Sequence, residues 1–406
     1  MEVTIEQALD FIYTHTPKKQ TRILPLEQAL GSILADDLIA THNLPPYDNS
    51  AMDGYGVKVA DGGKCVKVSH TIFAGDNSDA VVNTNHAIKI MTGAKIPQGC
   101  ELVVPHEDTT ACEDGILLPS DLVNAKHIRR AGEDIKCCET LLNEGEKLQA
   151  HQITLLASQG ISHVKVYKKI RVAIFASGSE LKMHFENVQD SHQLYNTNAP
   201  ALKARCEELG CEVDFIGTAK DSLVDLKQHI KSALECDLIV TSGGVSVGDA
   251  DYTKEAFSSF KMQTYFDKIQ IKPGKPTTFG RIENTMVLNL PGNPMAASLN
   301  FELFGQSILL AMSGEKQKYL NTIDAKISQD YPHRSERRSL LAGYFDGSEF
   351  TPCKHFAPGM VKPLSQANAY VMLSEKCSGI KKEDTLKVIP IRFAFTTQHK
   401  KSLVSC

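Results

Sequence analysis

From residue 169 onward the sequence alternates between short apolar, β-branched runs and longer stretches with helical spacing. "IRVAIFA" reads as a buried strand, and "CEVDFIG", "DLIVT", "YFDKIQI" and "TMVLNLP" as further strands. Between them, "NAPALKARCEELG" reads as a helix with Asn198 as cap and Gly210 as stop. "DSLVDLKQHIKSALE" reads as a helix capped near Asp221, and "NPMAASLNFELFGQSILL" as a long helix. Strands alternating with helices leave few solutions, and the simplest is an open, mostly parallel sheet covered on both faces.

The rest of the chain has a different texture. A first helix opens at Thr4, with Gln7 completing a capping box, and a second helix is expected after Pro25 in "PLEQALGSILADDL". The stretch "NLPPYDNSAMDGYGV", residues 43–57, combines φ-fixing Pro45 and Pro46 with turn-forming Asp48, Asn49 and Ser50. It is read as a stiff loop presenting Asp48, Ser50, Asp53 and Tyr55. From about 57 to 132 short β-branched segments alternate with Gly, Asn and Asp clusters, which suggests a small β-rich domain. "LQAHQITLLASQG" returns to helical spacing with Gly160 as stop. Helices on either side of the β-rich stretch are expected to pack together, making that stretch an insertion. Residues from about 320 to 394 promise a small β-barrel or sandwich, and 396–406 a solvated tail.

A length of 406 residues suggests two to four domains. A net charge of −4 gives no basic footprint for nucleic acid. The eleven cysteines form no CxxC pair, which argues against a zinc site or a disulfide framework and fits a reducing cytosol. "MEVTIEQALD" is acidic and amphipathic, unlike a signal peptide, and no apolar run approaches the ~20 residues of a membrane span. The expectation is a cytoplasmic protein with neither nucleic acid nor membrane as partner.

Four unusual loops each follow an expected strand: "SGSE" (177–180), "SGGVSVGD" (242–249), "KPGKP" (272–276) and "PGNP" (291–294). The carboxyl ends of the strands form the ligand crevice of a doubly wound sheet. Glycines there admit close approach, and successive N–H groups cradle anionic oxygens. Lys272 and Lys275 add positive charge suited to phosphate or another oxyanion. Glu180, Asp221, Asp249 and Asp251 add carboxylates, so the mixture suggests a phosphorylated ligand with a divalent cation. No P-loop or GxGxxG signature is met. Asp221 is most cheaply a helix cap, and His106 a surface turn residue.

"LPPYDNSAMDGYG", "MTGAKIP", "AGEDI", "ASGSEL", "TSGGVSVGDADYT", "KPGKPTTFG" and "LPGNPMAASLNF" occur in that order. Together they resemble the molybdopterin molybdenumtransferases of the MoeA type, which include the gephyrin E domain. The resemblance implies a multidomain α/β fold: a MogA/MoeA-like, mostly parallel sheet domain with an inserted β-rich domain, a helical linking domain and a C-terminal β-barrel. The implied segments are 1–20 with 169–318 for the pterin-binding domain and 21–43 with 133–168 for the linking domain. The insertion is 44–132, the barrel 319–395 and the tail 396–406. It also implies molybdenum insertion into adenylylated molybdopterin with release of AMP, Mg²⁺ assisting and molybdate as second substrate. Family members are homodimers in which the β insertion of one subunit faces the sheet domain of the other. Molybdopterin adenylyltransferase and molybdoenzymes or their chaperones are further partners this implies.

By the same resemblance, Asp53 and Asp134 are catalytic positions and Thr92 a substrate-binding one, on the facing side. Glu180, Asp221 and Asp251 are the catalytic and metal-binding acids of the sheet domain. Ser177, Gly178, Ser242, Gly243, Gly244, Ser246 and Gly248 line the substrate loops. Pro291, Gly292 and Pro294 shape the loop over the pterin phosphate. Lys272 and Lys275 meet molybdate or phosphate oxygens, with Arg338 and Ser365 as anion contacts of the C-terminal domain. Two departures stand out: Ser179 where the family often has Asp, and Asp249 where Glu is usual. Two other readings compete with this one, an adenylyltransferase and a dimeric peptide-binding scaffold. The N-terminal half and β tail argue against the first, and the retained acids against the second.

Overall fold

The computed structural model describes residues 1–188, 190–244, 252–354, 357 and 359–392. Its centre is a six-stranded sheet of β1 (Arg171–Ser177), β2 (Glu212–Ala219), β3 (Leu238–Ser242), β4 (Gln263–Phe266), β5 (Thr278–Ile282) and β6 (Thr285–Leu290). The spatial order is β2-β1-β3-β6-β5-β4, with β2, β1, β3 and β6 parallel, β5 antiparallel to β6, and β4 antiparallel to β5. All residues of β3 and β6 are buried. Alternate residues feed opposite faces, as a period of two requires. Val172, Ile174, Leu238, Val240 and Leu288 point into one core, while Ala173, Phe175, Ile239 and Val287 point into the other. The expected doubly covered, mostly parallel sheet is present. β5, "TFGRI", was not read as a strand; it forms a hairpin with β6.

The helices are α1 (Ile5–His15), α2 (Ala150–Ser158), α3 (Asn198–Glu208), α4 (Leu223–Ala233), α5 (Tyr252–Ser259), α6 (Pro294–Asn300), α7 (Gln306–Ser313) and α8 (Lys362–Gln366). α1 begins as expected: Thr4 Oγ1 accepts from Gln7 N at 3.2 Å, and Gln7 Oε1 accepts from Thr4 N at 3.0 Å. α6 runs through a π segment, Phe301–Gly305, into α7. This continuous helix, Pro294–Ser313, is long and apolar enough to cross a membrane, which corrects the expectation that no run approached that length. It is 83% buried and serves as the core helix of the sheet domain.

Residues 21–43 and 133–168 are joined mainly by strands. Thr21–Pro25 pairs antiparallel with His163–Tyr167, and Leu38–Ile39 with Thr140–Leu142. The helix expected after Pro25 is only a 3-10 turn, Leu26–Gln28. Gly31 takes φ +77°, and Ile33 and Leu34 then bridge to Lys147 and Val166, so Leu34 is buried by an extended chain. The linkage is therefore a β-ladder with α2 packed on the turn, not helix on helix.

The insertion is a six-stranded sheet in the order 102–105, 54–57, 86–90, 65–72, 115–117, 110–112. Cys65 and Cys112 form a disulfide across it, a departure from the expected free thiols. At the other end, strands 323–327, 338–345, 349–352, 369–373 and 385–390 close into a five-stranded barrel, to which Ile271–Lys272 adds an edge. Arg205 of α3 clamps this junction. Its Nε and Nη2 donate to Glu302 of the π segment at 2.9 and 3.0 Å, and Nη2 also reaches Ile391 O at 3.1 Å. The tail 396–406 lies outside the described residues.

Candidate active site

Three of the four glycine-bearing loops meet at the carboxyl edge of the sheet, after β1, β3 and β6. Their spacing excludes side chains. A Cβ at Gly243 would lie 2.3 Å from Ser177 O, and one at Gly244 would lie 2.0 Å from Thr253 Oγ1 and 2.6 Å from Ser177 Oγ. A Cβ at Gly292 would lie 3.5 Å from Gly243 Cα. Both Gly243 and Gly244 have positive φ, +90° and +65°, which turns the chain sharply back over Ser177. Ser177 Oγ is buried and has no hydrogen-bond partner among the described residues. A buried hydroxyl left unpaired costs about 1–3 kcal/mol, and this one faces the cradle. Ser242 is buried at the end of β3, and Pro291 is buried after β6.

Two asparagines missed by the sequence reading brace these loops. Asn198, expected as a helix cap, donates from Nδ2 to Gly292 O at 2.7 Å. The N-terminus of α3 is capped instead by Asn196, whose Oδ1 accepts from Ala199 N at 3.1 Å. Asn300 lies fully buried in the helix that begins at Pro294. Its Nδ2 donates to Pro273 O at 3.0 Å and to Ala296 O at 2.7 Å. A Cβ at Gly274, where φ is +107°, would sit 1.9 Å from that nitrogen. One helix thus starts at the PGNP loop and grips the KPGKP loop. An asparagine nearly two helical turns inside an apolar run carries no recognisable sequence signal.

The KPGKP loop does not stand at the sheet edge, contrary to expectation. "YFDKIQI" breaks into β4, which ends at Phe266, then Lys268–Ile269 paired with Glu2–Val3, then Ile271–Lys272 paired with Arg338–Ser339. The lysine loop therefore sits at the seam with the barrel. Lys272 is exposed, and Lys275 Nζ lies 3.0 Å from Glu2. Arg338 is in register with Ile271 but is engaged by the carboxylates of Glu6 and, at 3.6 Å, Glu375. Ser365 lies elsewhere. Its Oγ donates to Lys362 O, and it lines a cleft of about 280 Å³ with Arg205, Asn198 and Pro294.

Asp221 is not the cap of α4. Ser222 Oγ takes that role by accepting from Asp225 N at 3.2 Å. Asp221 instead clasps the first loop: Ser179 N donates to Asp221 Oδ2 at 3.0 Å, and Asp221 N donates to Ser179 Oγ at 3.1 Å. The serine that departs from the family pattern is thus used to hold Asp221 next to Gly178 and Glu180. Two carboxylates on adjacent loops suit Mg²⁺, which commonly takes one or two acids and completes its shell with water and substrate phosphate. Among the described residues no cluster of three or more metal-ligating side chains exists. Asp251, Asp249, Ser246 and Gly248 lie outside the described residues.

On the insertion, the proline-rich stretch is as rigid as its composition suggested. Asp48 accepts from Ala131 N at 2.8 Å and pairs with Arg130, and Asp48 O accepts from Ile96 N at 2.9 Å. Asp53 Oδ1 accepts from Thr92 N at 2.7 Å and Thr92 Oγ1 at 2.9 Å. These two bonds hold the exposed Asp53 carboxyl below the usual carboxylate range. Asp134 is exposed, and its amide donates to Leu44 O at 3.1 Å. Asp53, Thr92 and the AGEDI segment are thus braced by one loop. His106 is a surface turn, its ring 5.6 Å from Tyr55.

Known families match both the N-terminal part and the sheet domain of the chain. The family described as MoeA N-terminal region (domain I and II) matches residues 3–160. A probable molybdopterin binding domain matches 173–311. A molybdopterin molybdenumtransferase of Haemophilus influenzae is 39% identical over 320 residues, 78% of this chain and 79% of that protein. One from Staphylococcus aureus (strain COL) is 32% identical over 399 residues, 95% of each. The crystal structure of a molybdopterin biosynthesis moeA protein from Pyrococcus horikoshii OT3 superposes with a TM-score of 0.82 at 26% identity, covering 96% of this chain and 100% of that one.

Proposed function

This chain belongs to the molybdopterin molybdenumtransferase family, and from that membership we propose the step it performs: molybdenum is joined to adenylylated molybdopterin and AMP is released. The enzyme is a transferase of molybdenum cofactor biosynthesis. The observation that carries the finer reading is the buried, unpartnered Ser177 hydroxyl beneath Gly243 and Gly244. A phosphate oxygen there would supply its missing partner.

The residues divide the work. The loops after β1, β3 and β6 bind the phosphate end of the substrate. Lys272 and Lys275, set by Asn300, hold molybdate by charge and N–H donors. Glu180 and Asp221 would hold Mg²⁺, with Asp251 as a third acid. Bound there, Mg²⁺ would act as Lewis acid toward phosphate oxygens. Asp53 is kept ionised and oriented by Thr92, so it can position a water or a molybdate oxygen without first having to be ordered.

We further propose a homodimer in which the insertion of one subunit brings Asp53 and Asp134 to the loops of the other. Asp53 is fastened to its own domain and presented outward, a geometry suited to action on a neighbouring chain.

Purified protein mixed with adenylylated molybdopterin, Mg²⁺ and molybdate is expected to release AMP in proportion to molybdenum bound by the product. AMP release that ignores molybdate, or none at all, would overturn this assignment.

A further inference from the structure

Of the free cysteines among the described residues, Cys137 and Cys138 alone are exposed. Burial protects several others and pushes Cys100 up to about 11 and Cys211 and Cys236 up to about 12. Cys137 and Cys138 follow Asp134 by three and four residues, and their Sγ atoms are 3.5 Å apart. The backbone beneath them is pinned. Cys137 N donates to Asn43 Oδ1 at 2.8 Å, Cys138 N donates to Ala40 O at 2.9 Å, and Cys138 holds φ at +72°.

Two chemistries are open to such a pair, and geometry separates them. A disulfide needs Cα atoms about 4.4–6.8 Å apart, whereas neighbours across a trans peptide are held at about 3.8 Å. Internal oxidation is therefore disfavoured. Chelation is not. Two sulfurs 3.5 Å apart, each bonded at about 2.3 Å to one central atom, enclose an angle of about 99°. That angle suits a pyramidal trivalent centre and is far from the linear geometry of a two-coordinate monovalent ion.

We propose that Cys137 and Cys138 form a chelating site for trivalent, thiophilic oxyacids of the arsenite class, and that its occupation blocks the transferase. One arsenic hydroxide exchanges two of its hydroxyls for the two thiolate sulfurs, each S–H proton leaving with a hydroxyl as water, and no electrons are transferred. The third hydroxyl stays on arsenic. The inhibitory half of the proposal rests on Asp134 being part of the site. The ligand would stand beside that residue, on the segment whose Asp134 and Ile135 amides donate to Leu44 O.

The test uses the full chain with arsenite and phenylarsine oxide as probes. Thiol titration should lose two reactive groups per arsenic bound, at one equivalent per chain. Cys137→Ser and Cys138→Ser should each weaken binding at least about a hundredfold, because chelation is lost, while leaving untreated activity unchanged. AMP release by the unaltered chain should fall on treatment, and both variants should resist. Equal binding by the unaltered chain and the variants would overturn the site itself. Tight two-thiol binding with undiminished AMP release would overturn only the inhibition, and with it the placing of Asp134 in the cleft.

Discussion

Replacing Asn300 by leucine keeps side-chain volume but removes the donor that holds Pro273 O. Pro273 is buried, so its carbonyl would be left unpaired inside the protein. Ala296 O is a helix carbonyl within reach of the ladder, and Thr277 Oγ1 still donates to Gly274 O at 2.8 Å. The net change is one orphaned buried acceptor, which costs about 1–3 kcal/mol. The loop can escape that cost by lifting toward water and carrying Lys272 and Lys275 out of place. A bias of that size lowers the ratio of seated to lifted loop by about fivefold to about 150-fold. The apparent KM for molybdate should rise by up to that factor in an AMP-release assay, with a smaller change in kcat. The unfolding midpoint should move little, since the strain is relieved locally. An unchanged KM for molybdate with a large loss of thermal stability would show that Asn300 only packs the helix, and would refute the reasoning.

Other substitutions probe separate contacts. Glu302→Ala takes from Arg205 its two bonds to the π segment, leaving it Glu208 and Ile391 O, and should cost about 1–3 kcal/mol in urea denaturation; a loss under about 0.5 kcal/mol would remove this pair from the stabilising contacts. Asp221→Asn keeps an acceptor for Ser179 N but removes the charge. AMP release should drop by about a hundredfold with the fold intact, and near-normal turnover would exclude Asp221. Thr92→Val removes one of the two bonds that depress the Asp53 pKa. A depressed carboxyl stays ionised down to its lowered value, so losing the bond raises the pKa and moves the acid limb of the rate profile to higher pH. Carbon-detected NMR titration of Asp53 should show the same upward move, and an unmoved titration would deny the bond its role.

Much of the architecture was legible because it rests on short-range pattern. Continuous apolar runs marked β1, β3 and β6, and the Thr4–Gln7 pair marked the start of α1. What was misread depends on contacts distant in sequence. "PLEQALGSILADDL" has helical spacing, yet Gly31 and the partners of Ile33 and Leu34 near residues 147 and 166 pull it into extended form. "YFDKIQI" has strand composition, but three different partners divide it. Asp221 looked like a cap because Asp is a good one, and Ser222 takes the position one residue later.

The claim that joins these parts is a composite site, with acids of one insertion working on the loops of another chain. Subunits carrying Asp53→Ala and subunits carrying Asp221→Ala should each be inactive alone. Co-expressed, they form mixed dimers in which one of the two sites has neither defect, so AMP release should return to about one quarter of the unaltered level. If the mixture stays as inactive as its parents while mixed dimers are demonstrably present, both residues serve a site within a single chain, and the composite arrangement is wrong.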